Sequence, residues 1–252
     1  DFFQEPAQIS SALGLLELRL LYKAGIGEDG NMQFCYLTQD GIQSPTLLVS
    51  PGDRLRLTIT NLVEVPSYSA ADSAFVNANY GTNIHFHGMF VSPAPGQDFA
   101  VTIVAPGKSF THELDIPADH PPGLFWYHPH FHGLVDTAML GGASGLIVVQ
   151  GIEKVRPEVA GLPTRSIVIR DQNLAAGSSG SVVDSNVPAF DVSVNYVPVT
   201  HPQYRPARIA MTPGATEFWR VINAGADTIL YLQILYDGVP QPLILIALDG
   251  VP

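Results

Sequence analysis

Short alternating runs limit what this chain can fold into. LRLTIT (55–60), FTHELDI (110–116), SGLIVVQ (144–150) and RSIVIRD (165–171) are each about strand length, β-branched or alternating, and bounded by turn residues. No stretch keeps an apolar face at helical spacing for three turns. The breaks come from 23 glycines and 21 prolines scattered along 252 residues. Many short strands with regular turn signals specify an all-β sandwich or barrel.

The length suits two domains, each able to bury a core. SPGDRLRLTITN (50–61) and TPGATEFWRVINA (212–224) share a Pro-Gly turn, an alternating strand and a closing Asn. The same offset separates Pro51 from Pro213 and Asn61 from Asn223, which favours two copies of one β domain. APGKSFTHELDIP (105–117) shares the opening of the pattern. We place the first domain at 1–150, a linker at 151–163 and a second domain at 164–252. The second copy has no clear closing strand and reads as incomplete. LAAGSSGSVVDSN (174–186) reads as a polar loop.

The formal charge of −11, with no basic cluster, argues against nucleic acid as a partner. No apolar run is long enough to span a bilayer. Cys35 is the single cysteine, so no intramolecular disulfide can form, and we read it as a small buried hydrophobe. The opening DFFQEPAQ reads as a mature N-terminus from which an export signal has been removed. A periplasmic or secreted location is therefore expected.

All histidines but His201 fall between positions 85 and 132. In NIHFHGMF (83–90) and FWYHPHFHG (125–133) they stand two apart, so on a strand each pair shares a face, about 6.5–7 Å apart. His85 and His87 form one pair, and His128 and His130 the other. Two adjacent strands so equipped would surround one space with four imidazoles, a donor set for copper, zinc or iron. A single zinc held by three of them also fits the spacing. Gly88 permits close approach of another backbone or ring, and Pro129 suits an edge or irregular strand. His112 reads as a strand residue, His120 as solvent-facing in a proline turn, and His201 as isolated in a loop. His132 reads as leaving the strand at a His-Gly turn for a supporting role beside the ligands.

NIHFHG, FWYHPHFHG and ADHPPG resemble the two amino-terminal copper motifs of multicopper oxidases, the family of laccases and bilirubin oxidases. FWRVINA followed by LDGVP resembles the middle domain of the three-domain members. The resemblance implies tandem cupredoxin-like Greek-key β-sandwiches and a trinuclear copper cluster that reduces O2 to water. It implies His85 on the type 2 copper, and His87, His128 and His130 on the type 3 pair. Asp98, in VSPAPGQDFA (91–100), stands in the loop where family members often carry an acidic residue beside the cluster. It is the candidate for relaying protons through water.

The departures matter equally. The family's HCH segment and later HxH motif are absent, and no histidine neighbours Cys35 in sequence. The type 1 copper and the remaining ligands are expected on a carboxy-terminal cupredoxin domain, without which this chain should turn over little. In the second copy Tyr231 and Gln233 fall where the histidines would be. The reducing substrate would be a phenol, an aryl amine or a metal ion. The rival readings are a non-catalytic cupredoxin-fold binding protein and a mononuclear metal site.

Overall fold

The computed structural model describes residues 2–65, 73–175, 178, 180–181 and 188–252. Most of the expected polar loop at 174–186 thus lies outside the described residues. Among the described residues of the first 150, nine strands form: β1 (Gln8–Ser10), β2 (Leu15–Ile26), β3 (Met32–Leu37), β4 (Thr46–Val49), β5 (Arg54–Asn61), β6 (His85–His87), β7 (Ser109–Asp115), β8 (Gly123–His128) and β9 (Gly145–Val149). They form a five-stranded sheet in the order β1-β4-β9-β8-β6 and a four-stranded sheet in the order β3-β2-β5-β7.

Alternation in the sequence becomes two-sidedness in the sheet. Leu55, Leu57 and Ile59 of β5 point inward with Leu16, Leu18 and Leu20 of β2 and Leu114 of β7. They meet Leu47, Val49, Phe86, Phe125, Tyr127, Ile147 and Val149 from the other sheet in one buried core. On the solvent face Arg54 pairs with Asp115 (2.7 Å), and Arg56 with Glu17 (3.1 Å) and Glu113 (3.2 Å). Such exposed pairs stabilise little; the inward leucines set the register.

Strand β9 is buried along its whole length, which explains its unbroken apolar run. Ile147 and Val149 face the sandwich core. Leu146 packs outward with Val168, Ala224, Leu124, Trp126 and Ile222 in a second cluster. That cluster joins the first sandwich to a sheet ordered β12-β11-β10-β13, from β10 (Thr164–Gln172), β11 (Asp191–Val194), β12 (Val197–Val199) and β13 (Phe218–Asn223). A small hairpin, β14 (Ile234–Tyr236) and β15 (Val239–Gln241), follows.

The recurring motif is a recurring structure. Asp53, Lys108 and Ala215 each donate a backbone N–H to the carbonyl three residues back, at 3.0 Å, closing three Pro-Gly turns. Gly52 and Gly214 take φ of 91° and 77°, as the third residue of a type II turn requires. Asn61 and Asn223 then end their strands alike, each accepting at Oδ1 from the amide two residues on, both at 3.0 Å. Strands β5 and β13 each run parallel to the long strand beside them, β2 and β10.

Among the described residues helix is confined to short pieces: α1 (Ser73–Tyr80), α2 (Val135–Leu140), α3 (Ile152–Val155) and a 3-10 turn at Pro157–Val159. The last two occupy the expected linker, where buried Ile152 and Val159 give the segment a packed inner face. Cys35 is corrected: it lies half-buried on β3, an edge strand, opposite Lys23.

Candidate metal centre

Strand β6 pairs antiparallel with β8 at the edge of the five-stranded sheet, setting His85 opposite His128 and His87 opposite Trp126. Phe86, Phe125 and Tyr127 point into the core, so the residues between them, His85, His87, Trp126 and His128, share the outer face. The His85 ring lies 5.6, 5.4 and 5.1 Å from the rings of His87, His128 and His130. Metal-ligating atoms of His85, His87 and His128 all fall within 4.8 Å of one another. His130, two residues past His128, has its ring 6.2 Å from that of His128.

Hydrogen bonds fix which nitrogen His85 and His128 offer. His128 Nδ1 lies 2.8 Å from the Pro129 carbonyl, which can only accept, so Nδ1 carries the proton and Nε2 has the lone pair. His85 Nδ1 stands 3.1 and 3.0 Å from the two oxygens of Asp98, leaving its Nε2 to face the cluster. His87 Nδ1 and His128 Nε2 face each other at 3.1 Å. Two imidazole nitrogens about 2.0–2.1 Å from one tetrahedral ion would stand about 3.3 Å apart. The donor set therefore fits a shared cation.

The electrostatics agree. Burial, joined by the neighbouring histidines, holds the His128 pKa down to about 3, despite the opposing bond to Pro129. Burial, His85 and His130 lower that of His87. Both rings are neutral near pH 7, as a ligand must be. Burial works to raise the Asp98 pKa, but the bonds from His85 and from the Phe86 amide (3.0 Å) outweigh it and hold the carboxylate below its ordinary range. Asp98 is thus an ionised group seated on His85, a carboxylate–histidine pairing that fixes ring tautomer and orientation in metal sites.

Supporting residues complete the scaffold. The Trp126 ring lies 4.9 Å from that of His87 and 4.2 Å from that of His128, which accounts for one of the aromatics wrapped around the motif. Gly88, at φ 79°, lets the Phe125 ring approach to 3.4 Å from where a Cβ would sit. Buried Asn83 accepts the His130 amide at Oδ1 (2.6 Å) and donates from Nδ2 to the Ala100 carbonyl (2.6 Å). It ties the second motif to the first, a role the sequence reading missed. Its one signal was an amide side chain two residues before His85.

His120 is corrected: it is buried, not solvent-facing. Its Nε2 accepts the Phe90 amide (3.0 Å), its Nδ1 donates to the Pro121 carbonyl (2.9 Å), and its ring packs on Phe90 and Phe125. The proline turn folds back under the segment that follows His87, which a turn composition alone does not reveal. His132 does leave the strand at a turn, but its side chain is exposed just ahead of α2. His112 lies on β7 as expected, and His201 lies in a turn. Tyr231 and Gln233 lie exposed ahead of β14.

Comparison with known proteins points the same way. Residues 73–154 match a family model described as multicopper oxidase. Laccase-1 of Emericella nidulans is 24% identical over 128 residues, 49% of this chain and 18% of that protein. The iron transport multicopper oxidase FET3 of Candida albicans is 31% identical over 101 residues, 38% of this chain and 14% of that protein. Among solved structures, McoA multicopper oxidase from Aquifex aeolicus superposes with a TM-score of 0.62 at 16% identity, covering 89% of this chain and 46% of that one. A multi-copper oxidase from Pediococcus acidilactici gives 0.53 at 16% identity, covering 77% and 40%. These likenesses show the fold as cupredoxin-like β-sandwich. The chain matches less than a fifth of the length of those curated relatives and under half of the solved ones.

Proposed function

We propose that this chain, a member of the multicopper oxidase family, contributes His85, His87, His128 and His130 to the copper centre of a laccase-like oxidase. The observation that carries the reading is the facing pair of His87 Nδ1 and His128 Nε2, with His85 beside them on one outer sheet face. His85 is assigned to the type 2 copper, and His87, His128 and His130 to the type 3 pair. Bound copper would supply the single-electron steps that couple oxidation of a phenol, aryl amine or metal ion to four-electron reduction of O2 to water.

The protein's part is position. The β6–β8 register presents the rings together, and Asp98 and the Pro129 carbonyl each accept a hydrogen bond from one Nδ1–H, which would leave Nε2 to hold the ion. Asp98 orients His85, and the proposal retains its proton-relay role through water. D98N, which keeps a hydrogen-bonding group without the charge, separates the two: copper retained with turnover lost marks a relay.

The division into 1–150, 151–163 and 164–252 belongs to the same proposal, supported by the repeated Pro-Gly strand and by the new sheet that begins at β10. So does a carboxy-terminal cupredoxin domain carrying the type 1 copper. Apolar side chains left exposed on Ile229, Tyr231, Leu235, Ile244 and Leu248 support it, because surfaces of that kind mark sites that another body covers. A periplasmic or secreted location belongs to the proposal as well, supported by the likeness to laccase and FET3 relatives. The second reading, a mononuclear site, is favoured by the grouping of His85, His87 and His128 without His130.

The test loads the chain with copper, alone and with the carboxy-terminal polypeptide of the same protein, and follows metal content and oxygen uptake with a phenolic dye. Several coppers per complete protein, with one O2 consumed per four electrons, support the oxidase. One copper per chain, with no oxygen uptake in the complete protein, overturns it in favour of the mononuclear site.

A further inference from the structure

His112 sits on the inner face of β7 with no exposed surface, its ring edge-on to Phe86 (5.3 Å, 77°) and Phe110 (4.8 Å, 74°). A phenylalanine would fill such a place without a polar atom to desolvate. The imidazole instead leaves Nε2 buried with no hydrogen-bond partner. A local rule broken in this way points to a job done by the rest of the side chain.

That job is visible at the other nitrogen. His112 Nδ1 lies 2.7 Å from the Gln97 carbonyl, and since a carbonyl only accepts, Nδ1 is the donor. Glu113, the next residue on β7, donates its amide to the Gly96 carbonyl at 2.8 Å. Asp98 donates its own amide to the Ser92 carbonyl at 3.0 Å. Strand β7 belongs to the opposite sheet from β6, so these bonds tie the loop over 92–98 across the sandwich edge at the residue before Asp98.

We propose that His112 is a positioning residue for the histidine cluster: its Nδ1–H pins the Gln97 carbonyl and thereby keeps the Asp98 carboxylate seated on His85 Nδ1 and the Phe86 amide. The proposal deepens the copper reading and rests on it. Substitution acts at a distance of two side chains from the metal, through Asp98 and His85.

H112F keeps an aromatic ring between Phe86 and Phe110 and removes the donor; H112N restores a donor nitrogen near the place of Nδ1. In metal-free protein, 15N NMR reads the His85 tautomer and hydrogen exchange reads the Phe86 amide. With copper(II) added, titration reads affinity and electron paramagnetic resonance reads the coordination. H112F is expected to mix the His85 tautomers, to speed Phe86 exchange about tenfold, and to weaken copper about tenfold, the lower end of what supporting groups contribute in metal sites. H112N stays near wild type, and D98A/H112F is no worse than D98A alone, as two residues acting through one contact require. If H112F does not fold, H112L carries the same comparison. Loss of thermal stability in H112F with the His85 tautomer and copper spectrum unchanged overturns the proposal, as does H112N behaving like H112F. Wild-type protein that binds no copper overturns the metal reading instead, and the metal-free tautomer still tests the link from His112 to His85.

Discussion

Replacing Asn83 by alanine tests whether one amide joins the two histidine motifs. The side chain is fully buried and makes two short bonds, to the His130 amide and the Ala100 carbonyl, both 2.6 Å. Each buried partner left unsatisfied costs about 1–3 kcal/mol. His130 is itself exposed, so water can replace part of that bond, whereas the Ala100 side has less access. The sum is about 2–3 kcal/mol, roughly a 1 M drop in urea midpoint at a slope of about 2–3 kcal/mol/M. Asn83→Asp keeps an acceptor for His130 but turns a carboxylate oxygen toward the Ala100 carbonyl, so it should destabilise at least as much. Urea denaturation gives the energy, and hydrogen exchange at the His130 amide gives the location. An N83A protein within about 0.5 kcal/mol of wild type, the range of ordinary surface substitutions, with the His130 amide still protected, would refute the reasoning.

Gly88→Ala meets a left-handed backbone at φ 79° and a Phe125 ring already at contact, 3.4 Å from the new Cβ. The backbone alone should cost about 1–2 kcal/mol, and valine more; a G88A variant melting with wild type would show that the turn relaxes freely. Glu217 accepts two bonds from the Arg165 guanidinium (2.6 and 2.8 Å) and one from Trp219 (2.8 Å), which hold its pKa at about 2. A depressed carboxylate pKa contributes stability above the unfolded value and loses it as pH falls through the folded one. The gap in stability between wild type and E217Q should therefore be full above about pH 4.5 and close toward pH 2; a gap unchanged over that range counts against the fork.

What the sequence disclosed and what it hid divide along a physical line. Period-two alternation is a local property, so LRLTIT, FTHELDI, SGLIVVQ and RSIVIRD each fall on the strand expected of them. The unbroken run of β9 carried a further message, burial on both faces, that makes sense once the second sheet packs against Leu146. Parity on a strand likewise placed His85 with His87. Which strands neighbour one another is not local. The resemblance implied that the two motifs share one copper cluster, but the β6–β8 pairing that brings His128 opposite His85 is a finding of the structure that no spacing within either motif could supply.

The histidine cluster itself shows where local reading stops. Nearly all the histidines crowd into 85–132, yet they do different work according to what their second nitrogen meets. His85 and His128 give Nδ1 to Asp98 and Pro129 and turn Nε2 to the common space. His120 uses both nitrogens on backbone, at Phe90 and Pro121, and so has none to offer a metal. His112 gives Nδ1 to Gln97 and keeps Nε2 in the core, away from the cluster face. The contacts of His85 with Asp98, of His112 with Gln97 and of His120 with Phe90 join segments well apart in sequence, and composition near a histidine does not encode them. In His85 and His128 a protein acceptor takes Nδ1 while the ring stands on the outer face of the sheet. That condition separates His85 and His128 from His112 and His120, whose rings pack on phenylalanines.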